Sequence, residues 1–215
     1  MYSLSEKTAF EQVSIKSIET FCNKFKVGSA LKKSNAYKRK DVPTLKLIKY
    51  LSCLVFFGRS LFQDLRSKTP YASDFGKDTV YRFMNESTFN WQTFVLIIAL
   101  KVTNFFNSLT SDERQTALII DDSVYDRPHS KKMELSSRVY DHADGKNKFK
   151  TGFRMLTLGW TDGFSFVPLA FRHLASSDKK NRYQEADSSI DRRTNGGKLR
   201  KEAVMKGYRC YDNSS

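Results

Sequence analysis

Through the first half of the chain, apolar residues recur at helical spacing; after residue 115 they form strand-like runs. Phe10, Val13, Ile18, Phe21 and Phe25 predict a helix over 5–26, with Ser5 as its cap and Gly28 as its stop. Pro43 suits a helix start, with Asp41 as a cap. Leu47, Ile48, Leu51, Leu54, Val55 and Phe57 then predict a buried helix that Gly58 ends. A short helix over 60–65 follows. Asp78 is placed to cap another, with Val80, Phe83 and Met84 inward and Thr79, Arg82 and Asn85 outward. Trp91, Phe94, Ile97, Ile98, Leu100, Val102, Phe105 and Phe106 predict a long buried helix over 90–108, and a polar linker leads out of it.

The period changes at residue 116. Ala117–Ile120 reads as a fully apolar, buried strand that ends in two adjacent carboxylates, Asp121 and Asp122. A loop through Pro128 leads to a short strand over 137–140. A β-rich run over 150–160 meets the turn signal Thr161-Asp162-Gly163 and returns over 164–171. From 176 onward the chain is polar, a loop or disordered segment with a helix opening near Lys198. The class is α+β. The division is a helical region 1–110, a strand-rich region 115–175 and a polar segment 176–215.

Charge adds a partner to this picture. The net charge of +14 and pI near 9.7 point to a polyanion, most simply nucleic acid. Lys38, Arg39 and Lys40 are the densest part of a basic run between Lys24 and Lys49, where Asp41 is the single acid. The run is either a solvated face or a phosphate-contacting patch, and the overall charge favours the patch. Thr79 and Arg82 lie on a short polar-faced helix after a turn with Gly76, a pattern shared by helix-turn-helix readers and ordinary helical hairpins. Cys22, Cys53 and Cys210 are odd in number and far apart, which indicates neither a disulfide framework nor a zinc knuckle and suits a reducing compartment. The N-terminus has no apolar signal core. The apolar runs 51–57 and 94–100 are well short of the roughly 20 residues of a membrane span. A cytoplasmic protein without a membrane partner is expected.

A carboxylate at a strand end is a good ligand for a hard cation such as Mg2+. Two such ions can activate water and stabilise a leaving oxygen in phosphodiester cleavage, given carboxylates converging from several elements. Neighbours on a strand face opposite ways, so one of Asp121 and Asp122 points into such a site and the other bonds elsewhere. The alternative is that both cap a turn before Pro128.

Four ordered segments bear on that choice: 118–123, 137–142, 152–163 and 166–169. Together they resemble the bacterial insertion-sequence DDE transposases, above all the group named for insertion sequence four, from about Thr44 to Lys206. The resemblance implies a helical DNA-binding region followed by the first strands of a ribonuclease H-like mixed sheet, incomplete at the C-terminus. It implies Asp122 as the first catalytic carboxylate and metal ligand, with Asp121 supporting it, and Mg2+ or Mn2+ as cofactor for a complete site. It further implies double-stranded transposon-end DNA as partner, and self-association or association with full-length transposase. Lys131 and Lys132 are candidate phosphate contacts beside the site, as are Lys146, Lys148 and Lys150; all of these could equally form a solvated face. The family pattern also needs a second Asp after a later strand and a Glu on a helix. Asp178, Asp187, Asp191, Asp212, Glu185 and Glu202 do not follow that pattern, and the last nine residues look unlike the family. The expectation is a C-terminally truncated copy without strand-transfer activity of its own. Its rivals are a DNA-holding fragment that competes with the full-length enzyme, and a non-functional product.

Overall fold

Two units make up the chain, residues 1–101 and 102–215. They are seen in a computed structural model that describes residues 4–37, 42–66, 75–109, 114–129, 132–146 and 148–204.

The first unit is helical: α1 (Leu4–Lys24), α2 (Val27–Lys33), α3 (Thr44–Phe56), α4 (Leu61–Arg66), α5 (Lys77–Met84) and the first half of α6 (Trp91–Leu109). Its core gathers one stripe from each of α1, α2, α3 and α5: Ile18 and Cys22, Val27 and Leu31, Leu47, Tyr50 and Leu54, Val80 and Phe83. Helical spacing is what brings each stripe to one face. An edge-to-face aromatic set of Phe83, Phe89, Trp91 and Phe94 closes the core where α6 begins. Asn90 caps α6, its side-chain oxygen accepting from Thr93 N at 3.0 Å.

The first helix stops earlier than its glycine suggests. Lys26, not Gly28, takes the left-handed conformation (φ 51°), and Gly28 lies inside α2. Asp78 sits in the first turn of α5 and does not cap it; Gly76 occupies that position without a side-chain bond. Val80 and Phe83 are fully buried, whereas Met84 is 37% exposed, so α5 turns a narrower face inward than predicted. Gly58 does end α3, with φ 59°. The side chains of α6 are mostly half-buried, less covered than expected. Among the described residues, α6 is the one helix long and apolar enough to cross a bilayer by length and composition. Trp91, Phe94 and Ile98 pack against the helical core, and a core helix passes the same test.

The second unit is an antiparallel sheet of β1 (Ala117–Asp126), β2 (Ser137–Tyr140), β3 (Phe149–Thr161) and β4 (Phe166–Leu174), followed by α7 (Asn195–Ala203). The long β3 is central. β1 pairs along one side of it, and β2 and β4 share the other side end to end. The β3–β4 hairpin is set by Gly163 (φ 88°) and by Asp162, which accepts from Phe164 N at 3.1 Å and Ser165 N at 2.6 Å. Pro168 follows the register shift in that ladder, where a missing N–H is tolerated. The described part of the polar segment, 175–204, is ordered by specific bonds. Arg200 forks onto Glu134, Arg172 pairs with Glu202, and Ala175 N donates to Ala203 O at 2.8 Å. The antiparallel sheet after N-terminal helices matches the α+β class and is consistent with a ribonuclease H-like DDE fold.

Candidate functional site

The carboxylate doublet lies in the middle of β1, not at its end, because the strand continues to Asp126. β1 is an edge strand, and the predicted burial of its apolar run does not hold: Leu118 is 66% and Ile120 71% exposed. Among the described residues β1 pairs with β3 alone, so one hydrogen-bonding edge and much of both faces stay open.

Strand alternation puts the two acids on opposite faces. Asp121 is opposite Thr157 and Asp122 opposite Leu156. On its face, Asp121 accepts from the Ser123 hydroxyl two residues along the same strand. On the other face, Asp122 is gripped by Arg154. Arg154 Nε donates to Asp122 Oδ1 at 3.1 Å, and its Nη2 donates to Oδ2. The register explains the pairing. Arg154 stands opposite Val124, one diagonal step from Asp122 on the same face, within reach of a long side chain. A planar guanidinium then matches both carboxylate oxygens at once.

The same face carries a second pair. Arg172 of β4 is in register with Leu156 and bonds to Glu202 of α7. Each of these acids is thus taken up by an arginine.

The other expected residues lie elsewhere. Lys38, Arg39, Lys40 and Lys131 fall outside the described residues. Lys132 is exposed on the loop between β1 and β2. Thr79 is half-buried on α5, while Arg82 and Asn85 are exposed and border a shallow groove with Asp78 and Tyr81. Lys77 stands over the Tyr81 ring at 5.6 Å, which adds a second cation to that face. Lys150 is drawn inward by Asp141 at 2.7 Å and Asp144 at 3.4 Å. Those bonds hold the Asp141 carboxyl below its ordinary range and raise the Lys150 ammonium above its own. Lys150 is therefore committed locally, while Lys146 and Lys148 remain exposed. His142 is exposed, its ring edge-on to Tyr140 at 4.7 Å. Asp162, the acid of the turn signal, is committed to the hairpin and to Arg114 at 3.0 Å. The Ser165 N–H holds it below the usual carboxylate range, followed by the Phe164 N–H and then Arg114.

Arg154 is the residue that sequence reasoning missed. Its signal was present only in the register between β1 and β3, strands separated by more than twenty residues of chain that include β2.

A hard divalent ion needs several oxygen ligands. Both oxygens of Asp122 already accept from Arg154, which leaves about half of its lone pairs for an ion. Among the described residues no three His, Cys, Asp or Glu side chains gather where they could hold an ion. The residues present do not fit a two-metal centre as they stand.

Comparison with family models matches residues 51–206 to the DDE superfamily endonuclease family. No curated protein and no solved structure matches the chain.

Proposed function

Because the chain belongs to the DDE superfamily endonucleases, a transposase-like nuclease class that acts on DNA and generally uses divalent metals, we propose that it is an insertion-sequence transposase chain. It is closest in kind to the insertion-sequence-four-like group and works on transposon-end duplex DNA in the cytoplasm. Asp122 is its first catalytic carboxylate and Asp121 the supporting acid. The observation that carries this reading is the family match together with the doublet's place on the first strand of an antiparallel sheet that follows a basic helical unit. Lys38, Arg39, Lys40, Thr79, Arg82, Lys131 and Lys132 contact DNA, and the chain associates with itself or with full-length transposase. A bound Mg2+ or Mn2+ would supply Lewis-acid and water-activating chemistry. This chain's residues contribute one acid to that chemistry and the cationic surface that holds phosphate.

A second reading is favoured by the Arg154 clasp and by the lack of a three-acid group among the described residues. In it the chain holds transposon ends without cutting them and competes with a complete enzyme. A nicking assay on duplex end DNA in Mg2+ or Mn2+ tests whether this chain alone holds a complete site. The expected result is DNA binding without nicking by this chain alone. Robust nicking that Asp122→Asn abolishes would sink the competitor reading and establish a complete site. Robust nicking that survives Asp122→Asn would overturn the assignment of Asp122.

A further inference from the structure

On its face of the sheet, Asp122 is already paired with a cation. Both oxygens of Asp122 face the Arg154 fork; Asp126 lies on the same face four residues further along β1, and Glu202 of α7 is held by Arg172. The Asp122 and Arg154 side chains are 33% and 35% exposed, so water and small ions reach the pair. Its partners come from adjacent strands whose backbones are locked by the ladder, and no loop motion is needed to form it. A cation arriving at Asp122 therefore meets a carboxylate that the register has already supplied with a guanidinium.

From this we infer that Arg154 is a built-in competitor for divalent cations at Asp122, occupying the carboxylate and setting how readily an ion can bind there. The inference rests on the reading of Asp122 as the metal-binding acid and names the residue that regulates it. Two physical arguments support the competition. A guanidinium fork takes up one lone pair on each carboxylate oxygen, about half of those a hard cation could use. Its positive charge also repels a second cation at the same carboxylate, an effect that removing the charge relieves. Because Arg172 is engaged by Glu202, it does not take over when Arg154 is removed.

The test uses the full chain and Mn2+ alone, with binding followed by the loss of the free-ion electron paramagnetic resonance signal. Wild type should bind Mn2+ weakly. Arg154→Gln should gain a saturable site about tenfold tighter, and Arg154→Lys should fall between them because it keeps the charge and loses the fork. The gained site should vanish in the Asp122→Asn/Arg154→Gln double variant. Near-ultraviolet circular dichroism of each variant confirms a folded sheet. If Arg154→Gln misfolds, the comparison of Arg154→Lys with wild type decides, and equal Mn2+ affinity there overturns the inference. A folded Arg154→Gln with wild-type affinity overturns the competition while leaving Asp122 to the nicking assay. A gained site that persists in the double variant overturns the inference differently, by showing that Asp122 is not the ligand.

Discussion

Gly152 stands where three strands meet, opposite Asp126 of β1 on one side and Ser137 of β2 on the other. A Cβ built there would lie 1.9 Å from the Tyr125 carbonyl oxygen and 3.2 Å from Arg127 N. Both obstacles are backbone, so no side chain can swing aside. For Gly152→Ala to be accommodated, β1 must part from β3 by roughly 1 Å or more to restore ordinary contact distances. Overpacking of this kind costs about 1–3 kcal/mol. Parting the strands also weakens the bond from Arg127 N to Thr151 O, now 2.6 Å, worth about 1 kcal/mol. A loss of roughly 2–4 kcal/mol is expected, which lowers the melting temperature of a unit this size by roughly 10–20 °C. The assay is urea unfolding followed by the fluorescence of Trp160, in a Trp91→Phe background that silences the chain's other tryptophan. Gly145→Ala is the control, since no atom lies within 4 Å of its Cβ, and it should stay within about 0.5 kcal/mol of the parent. A Gly152→Ala chain as stable as that control would refute the steric reasoning and the β1–β3 register behind it.

Three further outcomes follow from buried or committed polar groups. Tyr50→Phe removes the hydroxyl that donates to buried Asp64 at 2.8 Å and should cost about 1–2 kcal/mol in a thermal melt; Asp64→Ala should cost more, because it strips the Tyr50 hydroxyl of this acceptor and leaves Arg59 with Glu11 alone of its two acids. Burial lowers the His173 pKa below its ordinary 6.5, so the unfolded chain binds the extra proton first. Stability should therefore fall as pH drops from about 6.5 toward the folded value, and His173→Phe should flatten that part of the curve. The depressed Asp162 carboxyl contributes stability above its ordinary value of 3.8 that is lost as pH falls through the folded value. Asp162→Asn should thus destabilise the hairpin at pH 7, with the gap to wild type closing in acid; a gap independent of pH would show that the charge of Asp162 contributes nothing.

Helical periodicity made most of the first unit legible, because one stripe per helix is a local signal. Leu47, Tyr50 and Leu54 are buried as their spacing implies, and Val80 and Phe83 likewise. Where a helix stops was less legible. Lys26 takes the left-handed turn two residues before Gly28, the residue type that turn favours. In the sheet, the strand segments and the Asp-Gly turn could be read from the chain, but not what covers them. An apolar run such as Ala117–Ile120 signals a buried strand, yet its burial depends on neighbours that no local pattern specifies, and here it borders an open edge. For the same reason the alternation rule separated Asp121 from Asp122 but could not supply Arg154. That contact depends on a pairing between strands far apart in sequence.

The most direct test of a DNA-acting chain is the salt dependence of its affinity for duplex end DNA, measured by gel shift or anisotropy between 50 and 200 mM salt (roughly the range over which counterion release is resolved). If the basic helical unit neutralises about four to six phosphates, the logarithm of affinity should fall against the logarithm of salt with a slope of about −4 to −5. Arg82→Ala should reduce that slope by about one. Asp122→Asn should leave it unchanged, since the acid serves cleavage rather than phosphate binding. A chain that binds no duplex at the lowest salt, or binds with a slope near zero, would contradict the account.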